Sequence, residues 1–253
     1  MKKILLVSGD SYTDPNFVSE FHPELDTSWP KWPELLAKKL DMICINLGKS
    51  GAGNEYIYSS LLDYITDNKN SIENIGLVIA GWSQCQRKDY QSGQSGRWTN
   101  ERLDPHGDAP GWVNRSLRCY LSFQILCERY NLNYVNFQMI NLYTDILNGL
   151  KYGHKEQVNN NKLIGKTIPY KGFKHQDLQR ILRCIMSYES KLNTEKFWGW
   201  PIAKQLDGYT MCSLGSPIFS DEEKKIYKIS ELDDHPNREG QEKITEYIYD
   251  RLG

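Results

Sequence analysis

No apolar run in the 253 residues approaches the roughly 20 residues that a membrane-spanning helix needs. The apolar stretch at residues 4–7 is too short for a secretory h-region and stops at Gly9-Asp10. The expectation is therefore a cytoplasmic protein with no membrane partner. An excess of one charge is missing too. The 31 basic and 32 acidic residues leave a net charge of −1, which provides no electrostatic reason for binding nucleic acid. The six cysteines, Cys44, Cys85, Cys119, Cys127, Cys184 and Cys212, form no C-x-x-C pair, and none has a histidine at ligand spacing. They read as reduced structural thiols, and no metal is expected. His22, His106, His154 and His175 are scattered. Neither a Walker A segment nor G-x-G-x-x-G occurs, so no nucleotide or other cofactor is implied.

What is present is the alternation of a soluble α/β chain. Short apolar runs at 3–8, 42–47, 76–80 and 133–138 read as strands buried on both faces. Between them lie helical stripes: Trp32, Leu35, Leu36 and Leu40, then Ile57, Leu61, Leu62 and Ile65. Helices are also expected over 116–130 and 238–252. This pattern predicts a mostly parallel sheet with helices on both faces. The chain reads as one domain, 1–253, with long loop insertions near 85–115 and 151–230. The least patterned parts are 91–114 and 152–176.

Three polar segments interrupt that pattern. Gly9-Asp10-Ser11-Tyr12-Thr13 follows the first strand, where open α/β sheets place their ligand crevice, although these residues are also common turn formers. Asp233-Asp234-His235-Pro236-Asn237 precedes the last helix. A histidine beside carboxylates suits a general base, and Asn237 equally suits a helix cap. Residues 46–54, Asn-Leu-Gly-Lys-Ser-Gly-Ala-Gly-Asn, follow the second strand and can aim backbone N–H groups at an anion.

In this order the three segments resemble the SGNH (GDSL-like) hydrolase family. Residues 9–13 are similar to its first block, Gly51 falls where its second block has a glycine, and 233–241 look like its last block. The resemblance implies a three-layer α/β/α sandwich with a flavodoxin-like sheet. It implies Ser11 as nucleophile, His235 as base, and the N–H groups of Ser11 and Gly51 as oxyanion donors. Two departures stand out. Ser83 occupies the position of the third-block asparagine, with Gln84 and Asn54 as alternative donors. Leu232 occupies the usual position of the acid, which leaves Asp233, favoured here, or Asp234.

The implied activity is hydrolysis of a carboxylic ester through an acyl-Ser11 intermediate, with a small-molecule ester as partner. An O-acetylated sugar is among the substrates that fit, along with a lipid ester or thioester. Trp29, Trp32, Trp98, Trp112, Trp198 and Trp200, with Trp198-Gly199-Trp200-Pro201 foremost, are candidates for a sugar platform. An acyltransferase using the same serine is a close variant. A non-catalytic module binding through 85–115 and 151–176 is the alternative of a different class.

Overall fold

The structure, a computed structural model, describes residues 2–67, 72–104, 106–143, 175–212 and 216–253. The four apolar runs form β1 (Ile4–Ser8), β2 (Ile43–Asn46), β3 (Ile75–Trp82) and a later strand, β6 (Tyr134–Gln138). Between β3 and β6 lies an antiparallel hairpin of β4 (Lys88–Gln91) and β5 (Trp98–Glu101). A two-residue strand, β7 (Phe197–Trp198), completes a five-stranded sheet in the order β2-β1-β3-β6-β7. All of its pairings are parallel.

The period of two along each strand sorts the core into two layers. Leu5 and Val7 of β1, with Leu77 and Ile79 of β3, pack against α1 (Trp32–Lys39) and α6 (Arg238–Leu252) through Trp32, Leu36, Ile244 and Ile248. Leu6, Val78, Ala80 and Trp82 point the other way. They meet Ile57 and Leu61 of α2 (Asn54–Thr66) and Leu117 and Tyr120 of α3 (Ala109–Arg129). Two further helices are α4 (His175–Met186), packed on α3, and α5 (Asp221–Ile226). The chain is thus a three-layer α/β/α sandwich. Its sheet follows the flavodoxin-like order, whose switch point lies between β1 and β3. Among the described residues no helix is long and apolar enough to cross a membrane.

The segment 91–114, expected to be a loop, instead contains β5 and the first turn of α3. Apart from the buried Asp89, the positions of its hairpin are exposed or half-buried, so no apolar alternation marks it. The anchor is polar. Asp89 accepts from the backbone N–H groups of Gly53 and Tyr56, each at 2.9 Å, and so caps the start of α2 from a neighbouring element. Burial pushes the Asp89 carboxyl up, and these two N–H donors pull it back. Most of 152–176 lies outside the described residues.

Candidate active site

The C-terminal ends of β1, β2 and β3 converge at the switch point. After β1 the chain turns tightly, with the N–H groups of Thr13 and Asp14 both donating to the Asp10 carbonyl. Asp14 then ties this turn to the one after β2, accepting from the Ser50 backbone at 2.7 Å and the Ser50 hydroxyl at 2.6 Å. Gly48 lies so close to Thr13 that a Cβ would come within 2.8 Å of its backbone. Gly51 has φ +78°, a left-handed conformation costly for any residue with a Cβ. Ser11 and Gly51 are thereby held on adjoining turns. Among the described residues neither backbone N–H has an acceptor.

Ser11, Asp233 and His235 come together across 224 residues of chain. The Ser11 hydroxyl lies 2.7 Å from His235 Nε2, and His235 Nδ1 lies 2.5 Å from Asp233 Oδ1. The tautomer consistent with an ionised Asp233 has Nδ1–H donating to the carboxylate and Nε2 accepting from Ser11. Tyr12 and Phe17 pack against the imidazole, with ring centroids at 4.9 and 4.4 Å. Asn237 caps α6 by accepting from the Gly240 N–H, so the cap and the histidine share one turn. Asp234 points elsewhere, 3.4 Å from Lys228 Nζ. Leu232 is exposed.

Asp233 is buried, and burial alone raises a carboxyl pKa. That effect is outweighed by the Ser19 hydroxyl, the His235 ring, the His235 backbone N–H and the charge of an imidazolium, so the carboxyl lies below its ordinary value. Ser19 donates to Oδ2 at 2.5 Å while its own oxygen accepts from the His22 N–H. No sequence pattern marks Ser19, because its partner lies 214 residues away. Replacing Ser19 by alanine removes a hydrogen bond to a charged group, worth about 1.5–3 kcal/mol. The expected result is a roughly tenfold loss in kcat and an acid limb of the pH–rate profile displaced to higher pH. An unmoved acid limb would show that Ser19 does not tune Asp233.

Of the remaining oxyanion candidates, Asn54 and Ser83 are tied into the framework. Asn54 Oδ1 accepts from the Ser83 N–H at 2.7 Å, and its Nδ2 donates to the Ser83 carbonyl and the Ser116 hydroxyl. Ser83 is fully buried, and its hydroxyl accepts from Arg87 Nη1 at 2.9 Å. Gln84 Oε1 accepts from the Gln86 amide. Trp198 is a core residue stacked on Phe137, and Trp32 and Trp112 are buried as well. Trp98 is half-buried, edge-on to Tyr56. The Trp198–Pro201 segment is therefore packing rather than a platform.

A serine hydroxyl bonded to an imidazole that is itself bonded to a buried carboxylate can transfer a proton off oxygen. Two free N–H groups beside it can receive an anion.

No family model matches the sequence, and no curated protein is a match to it. Several solved structures are similar in chain path. One, from Desulfitobacterium hafniense DCB-2, is described as a lipolytic protein of the G-D-S-L family; it is 14% identical over 100% of both chains, with a TM-score of 0.48. A psychrotrophic esterase from Pseudoalteromonas sp. is 12% identical, over 99% of this chain and 97% of that one, with a TM-score of 0.46. An acetyl xylan esterase from the rumen bacterium Butyrivibrio proteoclasticus is 12% identical, over 99% of this chain and 63% of that one, with a TM-score of 0.44. In its three-layer fold and in the order of its sequence blocks, the chain is similar to the SGNH (GDSL-like) hydrolases.

Proposed function

We propose that the protein is a serine hydrolase of carboxylic esters. The observation that carries this reading is the continuous Ser11–His235–Asp233 array, with links of 2.7 and 2.5 Å. Ser11 Oγ attacks the ester carbonyl carbon while its proton passes to His235 Nε2. Asp233 stabilises the resulting imidazolium and holds the ring in place. The carbonyl oxygen, now an anion, accepts from the backbone N–H groups of Ser11 and Gly51. Collapse breaks the bond to the alkoxy oxygen, which takes the proton from His235 and departs as the alcohol. Water then adds to the acyl-Ser11 carbonyl, giving its proton to His235. The second collapse returns that proton to Ser11 and releases the acid.

The first substrate to try is a small ester, an acetyl ester, which makes the least demand on the room around Ser11. An O-acetylated sugar remains one such ester, without the Trp198–Pro201 platform to support it. The test is hydrolysis of p-nitrophenyl acetate together with labelling by a fluorophosphonate, which attaches covalently to an activated serine. Hydrolysis and a label mapping to Ser11 are expected. Absence of both would overturn the reading.

A further inference from the structure

Arg87 is a buried cation that neither the sequence motifs nor the proton-transfer array accounts for. Its side chain is 14% exposed and is held by the two turns that frame the site. Nη1 donates to the Ala52 carbonyl at 3.0 Å and to the Ser83 hydroxyl at 2.9 Å. Ala52 directly follows Gly51, and Ser83 directly follows β3. The same nitrogen lies 3.8 Å from Asp10 Oδ2, on the residue preceding Ser11. Two of the residues that Nη1 meets are thus the chain neighbours of Gly51 and Ser11, which carry the free backbone N–H groups.

Arginine carries five N–H donors in a rigid fork. The two on Nη1 are spent, while those on Nη2 and Nε have no acceptor among the described residues. The side chain is not sealed from the surface, being 14% exposed. A cation fixed at one nitrogen, with N–H groups to spare on the others, is preorganised for an incoming negative charge.

We propose that Arg87 is a third oxyanion donor, presenting its free N–H edge to the carbonyl oxygen of the ester as Ser11 attacks. The assignment rests on the serine-hydrolase reading above and deepens it. A guanidinium reaching in from the start of the hairpin supplies what the buried Ser83 hydroxyl, already an acceptor for Arg87, is poorly placed to give. The competing role is structural. Asp10 is fully buried and, among the described residues, its Oδ2 has no hydrogen-bond partner, so Arg87 also offsets a buried carboxylate. The two roles predict different behaviour when both charges are removed.

The experiment compares wild type, Arg87→Gln, Arg87→Lys and the double variant Asp10→Asn/Arg87→Gln in pre-steady-state acylation by p-nitrophenyl acetate. Circular dichroism and thermal unfolding are followed alongside. Loss of one oxyanion donor typically costs about 10²–10³ in rate. Arg87→Gln is expected to acylate about 10²-fold more slowly, with KM changed by less than threefold, and the double variant to remain as slow. Arg87→Lys keeps the charge opposite Asp10 but loses the fork, and a loss of roughly tenfold is expected. Should Arg87→Gln fail to fold, Arg87→Lys decides. Recovery of the rate in the double variant, or full activity in Arg87→Lys, would overturn the assignment while leaving ester hydrolysis intact. A wild type that neither hydrolyses the ester nor takes the fluorophosphonate would remove the underlying reading instead.

Discussion

Replacing Ser11 by alanine is expected to lower kcat for p-nitrophenyl acetate by about 10⁴-fold or more, and to abolish fluorophosphonate labelling. A factor of 10⁴ is about 5.4 kcal/mol of barrier. So large an effect follows because the Ser11 oxygen is the atom that forms the new bond, and no neighbour replaces it. Neighbouring hydroxyls are not set up to take its role: Thr13 Oγ1 is buried and has no hydrogen-bond partner among the described residues, and Ser50 is bound to Asp14. His235→Ala is expected to cost nearly as much, because an unassisted serine hydroxyl is a weak nucleophile at neutral pH. The two substitutions should not add, since they disable one proton-transfer unit. A double variant about as slow as either single variant is the expected signature. Independent, multiplicative losses would show that Ser11 and His235 do not act together.

The second large effect is expected at Asp233. Asparagine there keeps the shape but presents an amide where His235 needs an acceptor, so the ring is driven toward the wrong tautomer. A kcat loss of about 10³–10⁴-fold is expected, whereas Asp234→Ala, which removes an exposed partner of Lys228, should stay within about twofold. Comparable losses at both positions would overturn the assignment of Asp233 as the acid. Asp233 also leaves a mark on stability. Its carboxyl titrates lower in the folded chain than in the unfolded one, where the reference is about 3.9. The stabilisation is therefore complete above that unfolded value and disappears as pH falls through the lower folded value. Urea unfolding of the wild type and Asp233→Asn at pH 7 and pH 3 should show the gap between them narrowing in acid. A gap that widened in acid would contradict the lowered carboxyl.

Much of the fold was legible because it obeys local periodicities. The central strands are continuous apolar runs, and α2 and α6 place their core residues on one face, so neighbouring residues carry the signal. The first and last blocks were legible for a related reason. Gly9-Asp10-Ser11 and Asp233–Asn237 each depart sharply from the apolar pattern beside them. Asp233 is favoured over Asp234 in the sequence because the last block reads as though one residue were deleted between acid and histidine, and alternation along an extended segment adds only that the two neighbours do not both serve.

Other features belong to tertiary structure alone. The β4–β5 hairpin is specified by Asp89 reaching the open N–H groups of α2, a contact between elements with no repeat to announce it. Ser19 is one serine in a turn-rich loop until folding brings it to Asp233. Arg87 reads as an ordinary charge until its guanidinium is found between Ala52, Ser83 and Asp10. Asn54, a plausible donor in the sequence, is drawn away because the buried Ser83 backbone and Ser116 hydroxyl need partners. By itself the sequence determined the layers, the sheet and the two ends of the site, because strands, helices and turns are encoded in neighbouring residues. Only the folded chain decided which polar groups face the crevice and which satisfy the framework, because that depends on distances between residues far apart in sequence.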